Sequence, residues 1–301
     1  QMPINIPILG YPWAGHGVGI GENGGVTLFS QYGKFLVPTD WKANLSVWTG
    51  LEAKTKSFKQ PDTREIKLEQ DKVYLTFLMS DGDNLNTWYD YFPMFWESEH
   101  RGKVPVGWTM GSSIIDLQAP LLDYYYPTMK STDSFGGAVS GVGYIYPQHF
   151  GSAYGPYRQK VWEDFLRVTN IYMNKLNQNW LWVMKSGKPG NDNLKGYASS
   201  IDNLTALLEG YANKVDYNKA NYILDDKAVF HCLTNVQDNR ITQQILDVIS
   251  NRRPAFGQIF IKNWNYTYED LNMIYKSLPE DYIIVRPDEL ANLYIEYKNT
   301  K

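Results

Sequence analysis

Cysteine is nearly absent: Cys232 stands alone among 301 residues. No internal disulfide framework and no cysteine-cluster metal site can therefore form. The four histidines, His16, His100, His149 and His231, lie far apart with no H-x-x-x-H spacing, so the usual sequence sign of a zinc site is missing. No apolar run approaches the ~20 residues of a membrane helix, and no membrane span is expected. The chain does not open on a charged n-region and an apolar h-region; a cleaved signal leaves no trace, so secretion stays open. A basic excess is missing too. Lys and Arg number 29 against 32 Asp and Glu, a net charge of -3, and nucleic acid is not an expected partner. There is no P-loop, H-E-x-x-H or G-x-S-x-G motif. There is no internal repeat, low-complexity tract or linker either.

What is present is apolar and aromatic. A hydrophobic fraction of 43% is ample for a packed core and excludes general disorder. Tyr (23) is nearly twice as common as Phe (12), beside 10 Trp. Tyrosine and tryptophan join a flat apolar face to a polar tip, which suits the CH faces and hydroxyls of a sugar. A large core also needs aromatics, so composition alone does not decide.

Along the chain, residues 4–10 read as a strand, followed by a glycine-rich segment over 15–25 and short extended pieces at 26–29 and 34–38. Residues 54–70 read as a polar surface excursion. From 72 onward strands and helices alternate. Strands are expected at 73–79, 104–110, 138–145, 180–184, 221–224, 228–233, 256–261 and 282–285, and helices at 85–98, 120–129, 157–177, 201–212, 241–250, 268–278 and 287–297. The run VYLTFLM at 73–79 is continuous and rich in β-formers, as a strand buried on both faces should be. Such alternation implies a parallel sheet with helices outside: a (β/α) barrel or an open doubly wound sheet. Length and about eight strands favour an α/β barrel, TIM-like or irregular, with seven or eight parallel strands. The chain reads as a single barrel domain over 1–301, with an irregular elaboration over about 11–70.

In either architecture the site lies at the carboxyl ends of the strands. Ser80-Asp81-Gly82-Asp83-Asn84 follows the strand at 73–79, Tyr144 to His149 follow a glycine-rich strand, and Lys185 follows 180–184. Asp225-Asp226 follow 221–224, Asn263-Trp264 follow 256–261, and Arg286 follows 282–285. Polar residues end most strands, so polarity alone means little; acidic clusters, tyrosines, a histidine and a tryptophan on one face are less ordinary. Two carboxylates in one strand-end turn repel each other, which raises one pKa and lets an acid and a base coexist. Asp81, Asp83 and Asn84 could equally ligate calcium or magnesium, or form a plain turn that caps the next helix. Gly19 to Gly24 match G-x-G-x-x-G, but 26–29 reads as extended, so the dinucleotide interpretation lacks its helix. Cys232 sits in an apolar strand and reads as core.

The segment Gly141-Val142-Gly143-Tyr144-Ile145-Tyr146-Pro147 is an unbroken G-x-G-Y-x-Y-P. It resembles the motif that names the GxGYxYP family of putative glycoside hydrolases. Asn44 to Val47, Phe77 to Asn84 and Val285 to Leu290 resemble further stretches of that family's C-terminal domain. The resemblance implies a glycosidase- or deacetylase-like β/α barrel in a bacterial protein, secreted or periplasmic. Longer members carry an additional N-terminal domain, which this chain is expected to lack. The resemblance marks Asp81, Asp83, Tyr144 and Tyr146 as family positions without assigning their chemistry.

The reading that follows is a glycoside hydrolase acting on a poly- or oligosaccharide. Asp81 is the first catalytic carboxyl and Asp83 a second or a tuning group. Asp226 is the partner across the mouth, with Asp225 and Glu22 behind it. Asn84, Tyr144, Tyr146, His149, Lys185, Asn263, Trp264 and Arg286 are the expected substrate contacts. No cofactor is expected, calcium or magnesium near Asp81 and Asp83 being the alternative. A polysaccharide deacetylase would need paired metal-binding histidines, which the sequence lacks. A non-catalytic glycan binder would keep the aromatics and have no turnover.

Overall fold

The computed structural model describes residues 3–12, 20–41, 44–80, 84–184, 192–210, 216–236 and 240–300. The strands are β1 (Pro7–Leu9), β2 (Phe35–Val37), β3 (Val73–Met79), β4 (Val106–Met110), β5 (Asp133–Gly137), β6 (Trp180–Val183), β7 (Ala206–Glu209), β8 (Asn221–Leu224), β9 (Lys227–Val236), β10 (Ala255–Ile261) and β11 (Tyr282–Ile284). The helices are α1 (Gly21–Gln31), α2 (Leu45–Trp48), α3 (Asn86–Asp90), α4 (Phe92–Trp96), α5 (Ile114–Leu117), α6 (Leu122–Tyr125), α7 (Arg158–Lys175), α8 (Asp192–Ser200), α9 (Tyr217–Ala220), α10 (Ile241–Ile249), α11 (Tyr268–Ser277) and α12 (Pro287–Asn299).

Seven parallel strands close into a barrel in the order β3-β4-β5-β6-β7-β9-β10, with β10 returning to β3 over its full length. The expected α/β barrel is therefore what the chain forms. The two remaining strands near the barrel are auxiliary. β11 pairs with β3 at Val73 to Leu75, on the edge that β4 joins only at Leu78 and Met79. β8 runs antiparallel to β9. In front of the barrel, β1 and β2 form their own parallel pair with α1 between them.

Side-chain alternation sorts the strands into an inside and an outside. Tyr74, Leu78, Trp180, Trp182, Leu208, Phe230, Phe256 and Phe260 fill the interior, with Trp182 stacked on Phe260 at 5.0 Å. Gly136 is required there, because a Cβ would fall 2.0 Å from the Trp180 ring. Val73, Leu75, Phe77 and Met79 face outward, into a core that includes Trp88, Phe92, Trp96 and Trp108. The last helix, α12, packs Leu290, Leu293 and Tyr294 against the interior cluster and touches β3, β7 and β9, so it closes the amino-terminal end of the barrel. Pro287 enters there; a Cβ on Gly107 would meet its ring at 2.5 Å.

Four local expectations change. Residues 26–29 are not extended but lie inside α1, which forms despite its glycines because Val26 and Ser30 are fully buried and a Cβ on Gly25 would strike Pro12 at 2.3 Å. The helix that the dinucleotide interpretation lacked is thus present. Even so, β1 ends at Leu9, well before Gly19, and the first turn of α1 carries Glu22 where a phosphate would sit. The strand expected at 138–145 is β5, five residues earlier in its start, and the extended run is broken by positive φ at Ser140 (65°) and Gly141 (135°). The helix expected at 201–212 is α8, ending at Ser200; Ala206–Glu209 is strand because pairing to β6 and β9 on both edges overrides its helical composition.

Arg286 is the fourth. It follows β11, at the closed end, and is 1% exposed. Its guanidinium donates to Asp288 (2.7 and 3.2 Å) and to the carbonyls of Asp62 (3.0 Å) and Ser131 (3.2 Å). Glu289, 3.4 Å away, also receives two hydrogen bonds from Arg64 (2.6 and 2.8 Å). Two guanidinium groups and two carboxylates thus tie the strap at 61–64 under the barrel. The expected substrate contact at Arg286 is corrected: its donors are spent far from the carboxyl ends of the strands. Replacing Arg286 with Met takes the guanidinium partner from buried Asp288, while Glu289 keeps Arg64, and should cost about 3–5 kcal/mol in chemical denaturation; a folded variant should bind substrate as the wild type does.

Candidate active site

With the interior filled and one end closed, the carboxyl ends of the strands form the other face, over which Val26, Leu36, Tyr144 and Tyr146 join the interior cluster. The G-x-G-Y-x-Y-P segment crosses it. Beyond β5 the chain runs over the rim and pairs with β2: the Tyr144 N–H donates to Leu36 O (2.7 Å) and the Leu36 N–H to Tyr144 O (3.0 Å). A Cβ at Gly143 would strike the Phe35 ring at 2.3 Å, so the second glycine permits this approach. The Tyr146 N–H donates to Ser30 Oγ at 3.0 Å.

Both tyrosine side chains are buried (2% exposed), yet each hydroxyl ends on α1. Tyr144 donates to Glu22 Oε1 at 2.7 Å, and Tyr146 to Asn23 Oδ1 at 2.8 Å. The two hydroxyls are 3.2 Å apart, and the Tyr144 oxygen is 3.0 Å from Met184 Sδ, just past β6. Burial, reinforced by the Glu22 charge, holds the Tyr144 phenol well above the usual range, so it remains a donor at any working pH.

Asn84, after β3, is buried and bridges to the end of β4. Its Oδ1 accepts from the Gly111 N–H (2.8 Å) and Trp88 Nε1 (3.2 Å), and its Nδ2 donates to Thr109 Oγ1 (3.3 Å). Asn84 and Tyr144 line one crevice together with Leu36, Gly111 and Ala138. Its free space is about 10 Å³, room for about one water and too little for a sugar ring. A larger hollow of about 820 Å³ lies on the outer wall between α7 and α8, to the side of the strand ends.

At the end of β10, Asn263 is 1% exposed and its side-chain amide has no hydrogen-bond partner among the described residues. Its carbonyl accepts from Tyr91 OH at 3.0 Å. Trp264 packs on Tyr91 at 4.3 Å and on Trp41 at 5.7 Å, and Trp41 is 51% exposed. These rings form an aromatic edge on the strand-end face. His149 is half-buried in the short turn after Tyr146.

Tyr144, Tyr146 and Asn84 are thus brought together, with Asn263 and Trp264 at the end of β10. Asp81, Asp83 and Lys185 lie outside the described residues. Asp226 does not join the group. It and Asp225 form the two-residue hairpin between β8 and β9, with φ of 63° and 46°; since β9 starts there, the turn sits at the amino-terminal end of the barrel. The sequence showed a strand ending in acids but not that the strand runs antiparallel. Among the described residues no group of three or more His, Cys, Asp or Glu is placed to hold a metal ion.

Sequence reasoning missed Glu209, which had been assigned to a helix. It ends β7 beside its register partner His231 on β9, with Oε2 2.6 Å from Nδ1. Both point to the outside of the barrel, with the Tyr222 ring 6.1 Å from the imidazole. Burial pushes Glu209 up to about 8 and His231 down to about 4.

The chain has clear relatives. Residues 71–295 match the family model described as "GxGYxYP putative glycoside hydrolase C-terminal domain", and residues 1–50 match "GxGYxYP third domain". No curated protein matches. Among solved structures, a putative hydrolase from Bacteroides thetaiotaomicron is similar, at 25% identity and a TM-score of 0.81 over 96% of this chain. The match spans 57% of that protein.

The Glu209–His231 pair has a pH signature. Folded, it keeps one proton from about pH 4 to about 8. Unfolded, with ordinary values of 4.5 and 6.5, it keeps one only up to about pH 6.5. The raised carboxyl favours folding at low pH and loses that contribution as pH rises; the lowered imidazole offsets it below 6.5. Stability should therefore fall between pH 6.5 and 8, by roughly 1–2 kcal/mol. Thermal melts at the two pH values check this, and Glu209→Gln should flatten the difference.

Proposed function

This chain belongs to the GxGYxYP family, and from that premise we propose that it hydrolyses glycosidic bonds in a poly- or oligosaccharide at the carboxyl end of its barrel. The observation that carries the reading is the convergence of the Tyr144 and Tyr146 hydroxyls with the Glu22 carboxylate at 2.7–3.2 Å on the strand-end face. In sequence, Asp81 and Asp83 fall between the end of β3 and the buried Asn84. Asp81 is the carboxyl that acts on the scissile bond, and Asp83 orients or tunes it. Hydrolysis needs one carboxyl group to protonate the leaving oxygen and one to activate or replace the attacking water. The Trp41–Trp264–Tyr91 edge supplies ring faces for sugar stacking, and Asn263 a buried amide for a hydroxyl. His149, half-buried in the turn after Tyr146, and Lys185, next in sequence after Met184, are the proposed contacts to outer hydroxyl or acidic groups.

A screen of purified protein against polysaccharides, read by release of reducing ends, tests this. Asp81→Asn should lower kcat by about 10²–10⁴-fold while glycan affinity persists. Asp83→Asn should cost less. Binding without any turnover in the wild type would make the protein a lectin and end the hydrolase reading.

A further inference from the structure

We propose that the outer wall of the barrel carries a second glycan-binding site, apart from the rim: the hollow between α7 and α8, with Tyr157 as its stacking ring and neutral sugars as its ligand. This extends the polysaccharide reading above, but it needs a polysaccharide to be bound there, not cleaved.

The hollow of about 820 Å³ has the size of a small-ligand site, roughly 300–1,000 Å³. Its walls are the first half of α7 and the length of α8. Where the helices meet, Gly196 lies on Trp162; a Cβ there would fall 2.6 Å from the indole Nε1. A glycine inside a helix costs about 1 kcal/mol relative to alanine, and here it lets α8 settle onto the ring that floors the hollow. Around that floor stand neutral polar groups, the Gln159 amide and the Ser199 and Ser200 hydroxyls. Arg158 and Lys195 share the lining with Glu163, so neither sign of charge dominates. A ligand rich in hydroxyls and without charge fits such a lining better than a phosphate or a carboxylate does.

Tyr157, directly before α7, is the second observation. At 71% exposure it is the most exposed large hydrophobic side chain among the described residues. It lines a further hollow of about 490 Å³ on the next side of α7, and Glu163 borders both hollows. An exposed tyrosine offers a ring face to sugar CH groups and a hydroxyl to their oxygens. A sugar chain crossing the start of α7 would lie in both hollows and over that ring.

The site is also tied to the rim. Asn193 Nδ2 donates to Pro147 O at 3.0 Å, and Arg158 donates to Gln148 O at 2.8 Å and to Phe150 O at 3.0 Å. Those carbonyls belong to the turn that follows Tyr146. A polymer held in the hollow is therefore kept beside the strand-end face, which raises its effective concentration there.

Titration calorimetry of the purified protein against soluble galactomannan, xyloglucan and mixed-linkage β-glucan tests the proposal. The wild type should bind at least one of them, equally well in low salt and at about 0.5 M NaCl. Tyr157→Ala, and Ser199→Trp, which fills the hollow, should each weaken that binding about 3–10-fold. Both positions are exposed, so melting temperatures should hold. On a short oligosaccharide, kcat and KM should stay at their wild-type values. If Ser199→Trp melts lower, Gln159→Ala takes its place. Wild-type affinity in both variants overturns the proposal, and so does a wild type that binds none of the three polymers. Binding lost at about 0.5 M NaCl overturns the assignment to neutral sugars. A kcat lost with the affinity makes the hollow part of the rim and overturns its separateness. Hollow-dependent binding without release of reducing ends fails the hydrolase reading and supports this one.

Discussion

The constraint on which the rest depends is that this barrel has no usable inside. Trp180, Trp182, Phe256 and Phe260 fill the interior, and α12 lies across its amino-terminal end. A seven-stranded barrel is narrow, and two stacked aromatic rings use most of its width. The interior leaves no room for a ligand, so the proposed chemistry is placed at the carboxyl-terminal rim. What the rim can do then depends on the loops and on what is laid across it.

The G-x-G-Y-x-Y-P segment is what lays something across it. Its glycines let the chain approach Phe35, and its backbone pairs with β2. Its two hydroxyls reach Glu22 and Asn23 on α1. The segment matched by the C-terminal family model is thereby joined to the one matched by the third-domain model, over residues 71–295 and 1–50. Position at a strand end and a ring with a polar tip make the tyrosines expected sugar contacts in the sequence. Buried at 2% exposure, they work as struts whose polar tips still reach the rim.

The barrel was legible because buried parallel strands leave long apolar runs such as Val73–Met79 and Ala255–Ile261. It was less legible where pairing overruled composition, as at Ala206–Glu209, or where close packing stabilised a glycine-rich helix, as in α1. Strand direction was not legible at all. Asp225-Asp226 follow an apolar run just as Asn263-Trp264 do, yet β8 runs antiparallel and carries its acids to the far end. Trp41 and Tyr91 were invisible as an edge because they come from separate loops and meet only through Trp264.

The charged residues separate by how completely their hydrogen-bonding capacity is used. Arg286, Asp288 and Glu289 sit at 1–3% exposure and are bonded to one another, to Arg64 or to backbone carbonyls, leaving little to offer a ligand. Such groups hold a strap in place, and their removal is felt as unfolding. Glu22 has the opposite economy: one carboxylate oxygen receives a fixed hydroxyl while the residue stays open to solvent. A charge that is oriented but not saturated retains lone pairs for a further partner. By that measure Glu22, on the rim, keeps more unspent hydrogen-bonding capacity than the buried charges of the closed end.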